Sequence, residues 1–328
     1  LPMLDHPNAL WQTGVMTNEA FHISKLLSKP VHLNFPFREP LYKTELKPSQ
    51  TGKKTTHFKT KKSVSKEQLK SLQKNWAKHN KKMIVCGSLQ KSRSLNNILI
   101  ELNKDPSVCI LTETTSNLYH KKFISCIDRT LERINDNPKF YPDIVITIGN
   151  SIISKKLKKL LRKNKPKEHW HVEEANRAQD IFSSLTHFIP IDPEDFFTDF
   201  LDGYHSNNGS NFSKNWFLEF KKSDENHIHY LSLSKWSDLK AHYLIQKELN
   251  GKKVNLQMGN STSVRYVQLF QQQKGLKYNS NRGVSGIDGS SSTAVGAAFV
   301  TNELTVLITG DLSFIYDQHA LWNKEVPK

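Results

Sequence analysis

An α/β architecture of doubly wound, parallel-sheet domains is predicted for this chain of 328 residues by three observations. Apolar runs of four or five residues alternate with amphipathic stretches of helical period. Several of those runs end in Gly followed by small polar residues, at Gly149-Asn150-Ser151, Gly259-Asn260-Ser261 and Gly310-Asp311. The chain is 37% hydrophobic, enough for real cores, yet no run nears the roughly 20 apolar residues of a membrane span.

Taken in order, the elements fall into four segments. Residues 1–42 read as the end of a domain: an amphipathic helix over Thr17–Ser28 with Thr17 as N-cap, a buried strand Val31–Phe35, and a Pro-punctuated exit. Residues 43–63 are rich in Lys and Thr, lack an apolar period and read as a linker. Residues 64–204 read as a central α/β domain. Its expected helices are Lys66–His79, Lys121–Ile134, Lys155–Lys163 and Pro193–Leu201, the last capped by Asp192. Its expected strands are Met83–Cys86, Val108–Leu111, Ile144–Ile148 and His169–Val172. Strand–Gly–helix turns recur here, but none has the GxGxxG spacing of a dinucleotide site. Residues 205–328 open on helical segments up to Leu249. They continue through strand Val254–Met258, a helix ending near Phe270, strand Lys277–Asn279, helix Ser290–Phe299 and strand Leu304–Ile308.

Composition excludes some function classes and leaves others open. The formal charge of +16 invites a nucleic-acid reading. Only eight of the 47 basic residues are Arg, however, and the Lys-dense stretches lack interleaved aromatics. A solvated surface that also attracts anionic substrates accounts for the charge better. Cys86, Cys109 and Cys126 share no metal-ligand spacing, so reduced, buried thiols in a cytoplasmic protein are expected. The opening Leu1-Pro2-Met3-Leu4-Asp5 has neither a basic nor an apolar leader region, and it reads as the inside of a longer polypeptide.

The chemistry-bearing residues concentrate near the C-terminus. A strand ending in Gly310-Asp311 puts a carboxylate at the carboxyl edge of a parallel sheet, where doubly wound folds bind ligands. Gly310 permits close backbone approach, and Asp311 is a hard oxygen donor suited to magnesium carrying a diphosphate. Upstream, Arg282 lies in the Gly-bounded loop SNRGVSGIDG as a fork for anions. This reading requires Asp311 and Arg282 to share one crevice rim.

QMGNSTSVR (257–265), SNRGVSGIDG (280–289) and TGDLSFIYDQHALWN (309–323) resemble a thiamine-diphosphate enzyme family of menaquinone biosynthesis. Its members are the 2-succinyl-5-enolpyruvyl-6-hydroxy-3-cyclohexene-1-carboxylate synthases. VHLNFPFREPLY (31–42) is similar to the close of that family's pyrimidine-binding domain. The resemblance therefore implies a middle domain over 64–204 and a partial pyrophosphate-binding domain over 205–328. It implies thiamine diphosphate with Mg2+ (or Mn2+) as cofactors. Asp311 would be the metal ligand, and Asn260, Ser261, Ile287, Gly310, Asp311 and Ser313 would contact the cofactor. The blander readings are ordinary helix capping for Asn260 and Ser261, and a core position for Ile287.

Arg265 and Arg282 match arginines that hold substrate carboxylates, where Lys would serve less well. Lys155 and Lys156 fall on a Lys-Arg pair that meets the second substrate; Lys at 156 is a departure, and a solvated helix face explains the pair as well. The implied reaction decarboxylates 2-oxoglutarate and adds the resulting carbanion to isochorismate. The resemblance places the activating glutamate and a second metal ligand outside this chain, so no catalytic residue is assignable within it. The chain alone is expected to be inactive and to bind cofactor weakly. A homodimer or homotetramer is expected of the full-length protein, with no nucleic-acid or membrane partner and no flavin. Two alternatives remain: an acetolactate-synthase-like carboligase, and a basic nucleic-acid-binding module.

Overall fold

The structure is a computed structural model describing all residues except 4–6, 28–29, 38–53, 57, 59–60, 176, 207–208 and 325–328. Most of the expected linker, the Pro-rich exit beyond Phe37, and Ser28 lie outside the described residues. The chain divides into two compact units, Leu1–Lys62 and Ser63–Lys328.

In the first unit, helix α1 runs from Ala9 to Leu27 and thus begins well before Thr17, which lies inside it. Gly14, a residue that weakens helices, is accommodated there, and its carbonyl accepts the Asn18 side-chain amide at 2.8 Å. The strand expected over Val31–Phe35 is not formed. No described strand pairs with it, and a lone extended segment leaves its backbone groups to water; Val31 and Phe35 are exposed.

The second unit starts with α2 (Lys66–Ala77), where Ser65 and Gln68 close a reciprocal capping box. There follow β1 (Lys82–Cys86), α3 (Arg93–Leu102), β2 (Val108–Thr112), α4 (Ile127–Ile134) and β3 (Ile144–Ile148). Next come α5 (Lys155–Lys163), β4 (Glu168–Val172), β5 (His187–Ile189) and α6 (Pro193–Leu201). The strands form one parallel sheet in the order β2-β1-β3-β4-β5. Every residue of β1, β2 and β3 is buried, as expected when helices cover both faces of a parallel sheet.

One face packs Ile84, Ile110, Ile146 and Trp170 against α2, α3 and α6. The other packs Val85, Leu111 and Val145 against α4, α5 and α7, the helix Phe212–Leu233. Each such side chain contributes roughly 1.5–3 kcal/mol on burial. Helix α4 begins six residues later than expected because Ile124 bridges to Leu111 beside β2 instead of entering the helix. Strand β5, three residues long, was not anticipated; it is too short to show a period.

Helix α8 (Asp238–Leu249) leads to β6 (Val254–Met258), α9 (Thr262–Val267), β7 (Leu276–Ser280), α10 (Ser290–Phe299), β8 (Leu304–Ile308) and α11 (Asp311–Tyr316). Here the parallel order is β7-β6-β8. Both sheets are thus doubly wound, in agreement with the expected class. Ile153, from the loop after β3, packs among Val254, Leu256 and Tyr278 of the second sheet and so ties the two cores together.

A buried ion pair supports the first sheet from below. The Lys82 ammonium lies 3.4 Å from Asp105, both side chains fully buried, and the Tyr204 hydroxyl donates to the same carboxylate at 2.5 Å. Burial holds the Lys82 pKa below its ordinary value, opposed by the Asp105 carboxylate. Removing one member of such a pair leaves an uncompensated charge in the core. Asp105→Ala is therefore expected to cost about 3–5 kcal/mol, read as a lower denaturant midpoint at unchanged slope.

Candidate functional site

In doubly wound sheets the strand order reverses at one point, and the crevice there opens at the carboxyl ends of the strands. In the first sheet this point lies between β1 and β3, and it is closed by backbone. Gly87 N–H donates to Ile148 at 2.9 Å, and Ser88 and Asn150 form an antiparallel bridge. A Cβ on Gly87 would stand 2.1 Å from the Asn150 carbonyl oxygen, and Gly149 adopts φ +72°. Backbone of one turn therefore packs directly against backbone of the other.

In the second sheet the reversal lies between β6 and β8, flanked by Gly259-Asn260-Ser261 and Thr309-Gly310-Asp311. Register pairs Met258 with both Ser280 and Ile308, so the loops bearing Asn260, Arg282 and Asp311 leave one edge together. The Arg282 loop is held from two sides. Asn260, buried, donates to the carbonyls of Asn281 (2.5 Å) and Gly286 (2.7 Å) and accepts from Arg282 at 2.7 Å. Ser313, buried in α11, donates its hydroxyl to the Ile287 carbonyl. Ser151 of the first sheet donates to the Arg282 carbonyl at 3.0 Å. Arg282 and Asp311 thus stand on the same rim of the second sheet.

The expected cofactor residues divide by what their side chains already do. Asp311 is exposed, its carboxylate accepting only its neighbour's N–H (Leu312, 2.8 Å) among the contacts seen, and nothing would meet a Cβ on Gly310 within 4 Å. Ile287 is partly open, and Ser261 is exposed at φ +69°, a costly conformation for a residue with a Cβ. Asn260, by contrast, spends both amide protons on the loop. Three neighbouring hydroxyls, those of Thr309, Ser290 and Ser291, are buried without a hydrogen-bond partner among the described residues. A hard carboxylate, an open glycine and unpaired hydroxyls make a donor set that fits a metal-bound diphosphate.

Of the expected substrate residues, Arg282 stands on the rim, while two others lie on a second cluster. Lys156 and Arg265 line one cleft of about 500 Å³ together with Arg129, Arg133, Glu132 and His227. Lys156 pairs with Glu132 at the surface, Arg129 with Asp224 at 2.9 Å, and Arg133 with Glu219 at 3.1 Å. Arg265 makes no ion pair among the described residues. Lys155 is exposed at the start of α5.

Sequence reasoning missed Glu113 and Lys158. Glu113, directly after β2, is buried and accepts the N–H of Ile153 (2.7 Å to each oxygen) and of Ser154 (2.7 Å). Burial is the chief reason its pKa rises to about 7, opposed by those N–H groups. Lys158 is held below its ordinary value by burial, with Glu113 opposing and Arg282, Arg162 and Arg265 reinforcing. Arg282 is lowered by burial in turn, with Glu113 opposing and Arg265 reinforcing. One buried carboxylate thus faces a surplus of cations, which is the electrostatic condition for attracting an acid. No sequence pattern marks Glu113, which sits in the unremarkable run LTETTS.

The raised pKa of Glu113 carries a stability consequence. Folded, the group holds a proton that the unfolded chain would already release above the usual 4.5. Its favourable contribution is present below about 4.5 and is lost as pH rises to about 7. Glu113→Gln, a mimic of the neutral form, should gain on the wild type by on the order of 3 kcal/mol between about pH 4.5 and pH 7. Melting temperatures across that range measure it. Separately, Asn260→Ala should speed amide exchange of residues 281–287 by roughly tenfold or more, since two carbonyls lose their donor.

A family model described as the middle domain of thiamine pyrophosphate matches residues 46–232, more than half of the chain. Among curated relatives, the 2-succinyl-5-enolpyruvyl-6-hydroxy-3-cyclohexene-1-carboxylate synthase of Flavobacterium psychrophilum is 40% identical, covering 98% of this chain and 58% of the relative. The enzymes of that name from Flavobacterium johnsoniae (38%, covering 97% and 57%) and Porphyromonas gingivalis (33%, covering 97% and 56%) align similarly. The chain thus spans a little over half the length of these relatives. By the match over its central sheet and the helices around it, the chain belongs to the thiamine pyrophosphate middle-domain family.

Proposed function

We propose that this chain serves a thiamine-diphosphate- and magnesium-dependent carboligase of menaquinone biosynthesis. The enzyme decarboxylates 2-oxoglutarate and adds the carbanion to isochorismate, giving 2-succinyl-5-enolpyruvyl-6-hydroxy-3-cyclohexene-1-carboxylate. The observation that carries the reading is one rim that offers Asp311 and Arg282 together, with Lys158 and Arg265 adding positive charge around the buried Glu113 beside it. Both substrates are acids, and such a cluster steers and holds them. The similarly named relatives support the same assignment.

Thiamine diphosphate, when bound, supplies the electron sink for decarboxylation, and magnesium anchors its diphosphate. The chain's own residues would hold the cofactor and the two acids. Asp311 would hold the metal, with Gly310 leaving room beside it. Asn260 and Ser313 fix the Arg282 loop by the hydrogen bonds described, and Ile287 lies on that loop within reach of the rim. Ser261 would contact the diphosphate from the β6 side. Arg282 and Arg265 would grip substrate carboxylates in a fixed fork, which orients the reacting keto carbon. Lys155 and Lys156, at the mouth of α5, would meet the second acid. The extents 1–42, 43–63, 64–204 and 205–328 are the domain divisions this reading carries, with a cytoplasmic, oligomeric full-length protein.

Titration calorimetry and steady-state kinetics of the full-length protein test it. Asp311→Asn should weaken magnesium-dependent cofactor binding by tenfold or more. Arg282→Ala should raise the KM for 2-oxoglutarate by roughly tenfold or more, as loss of a charged hydrogen bond costs about 1.5–3 kcal/mol. Turnover of a neutral acceptor, indifferent to Arg282→Ala, would point instead to an acetolactate-synthase-like enzyme. Binding to DNA or RNA that falls steeply with salt and ignores both substitutions would point to a nucleic-acid module.

A further inference from the structure

Glu113 is a buried carboxylate at the junction of the two sheets, and among the described contacts it binds no side-chain cation directly. Its oxygens are spent on the backbone N–H groups of Ile153 and Ser154, each at 2.7 Å. Those two residues end the loop that crosses from β3 to α5, and the next two are Lys155 and Lys156. Ser154 caps α5, accepting from Leu157 N–H at 3.0 Å and donating to Asp128. Ile153 meanwhile sits in the core of the second sheet. Whatever fixes residues 153 and 154 therefore fixes where the lysine pair starts.

Glu113 is itself anchored from the opposite side. Gln272 donates to its carbonyl at 3.0 Å, and Gln268 accepts the N–H of Thr114 at 3.0 Å, both from the segment around α9 that carries Arg265. The groups facing the carboxylate are Lys158 on α5, Arg282 on the loop after β7, Asp128 on α4 and Gln268 beside α9. A chain of contacts runs from the arginine-bearing segment, through one side chain, to the start of α5.

Resting on the carboligase reading above, we infer that Glu113 is a positioning residue that sets the Lys155–Lys156 end of α5 against the arginines of the second sheet and thereby fixes the site for the acidic acceptor. It acts by reach and acceptor geometry. Oε1 receives both N–H groups and Oε2 shares that of Ile153, so a side chain of the same length with one acceptor oxygen keeps the two hydrogen bonds to Oε1 and loses only the shared one. A shorter carboxylate withdraws from it.

Two substitutions separate these features. Glu113→Gln keeps length and loses charge; Glu113→Asp keeps charge and loses length. In the full-length protein, Glu113→Asp is expected to speed amide exchange at Ile153 and Ser154 by tenfold or more. It should also raise the KM for isochorismate by tenfold or more, with kcat and the KM for 2-oxoglutarate changed less than about threefold. Glu113→Gln should stay within about threefold of the wild type in all four measurements. The inference is overturned by unchanged exchange in Glu113→Asp, or by faster exchange with both KM values unmoved, which is a purely structural role. It is overturned equally if Glu113→Gln is the more damaged variant, since charge would then be what matters. A wild-type protein that turns over neither acid removes the carboligase reading and the acceptor role with it. The exchange contrast then still decides whether Glu113 sets the loop.

Discussion

The arrangement rests on the meeting of two carboxyl edges. Asn117, at φ +53°, donates to the carbonyls of Leu89 (3.1 Å), Thr115 (3.3 Å) and Tyr278 (3.0 Å) and accepts the Tyr278 N–H at 2.8 Å. A single amide side chain thereby stitches the turn after β2 to the backbone of β7. Asn tolerates the left-handed backbone that this placement needs better than a branched residue would. Because the stitch is made to backbone, it fixes the height of β7, and with it where Arg282 emerges.

Electrostatics follow from that meeting. Arg282, Arg265 and Lys158 come from three different elements and would repel one another in isolation. They are held close because the backbone around them is already committed, by Asn260, Ser151 and Ser313, to a set of hydrogen bonds that do not depend on charge. The repulsion stored there falls when an acid arrives, which is the sense in which a site is preorganised.

Most strands of the second unit were legible because buried parallel strands read as short apolar runs with Gly at the end; β3 and β6 have the bounds expected of them. Elements decided by a partner were not legible. Val31–Phe35 has the composition of a strand but no neighbour to pair with among the described residues. The start of α4 was displaced by a pairing between Ile124 and Leu111 that no local window contains. The rim residues Asp311 and Arg282 announce themselves through glycine-flanked loops. Glu113 does not, since its neighbours in the chain are plain Thr and Leu and its partners lie on distant elements. Likewise the engagement of Asn260 with carbonyls of its own protein depends on how the 280–289 loop folds back over β6.

The closed fork between β1 and β3 bears on how the polypeptide assembles. Gly87 packs against the Asn150 carbonyl and Gly149 against that of Ser88, so neither turn has its final shape until the other has arrived. Between them in the chain lie α3, β2 and α4, all of which must be traversed first. Contacts of such long sequence separation are reached slowly, because chain entropy is spent before they return anything. A ribosome-bound chain that ends short of β3 therefore holds β1 with one side still unpaired.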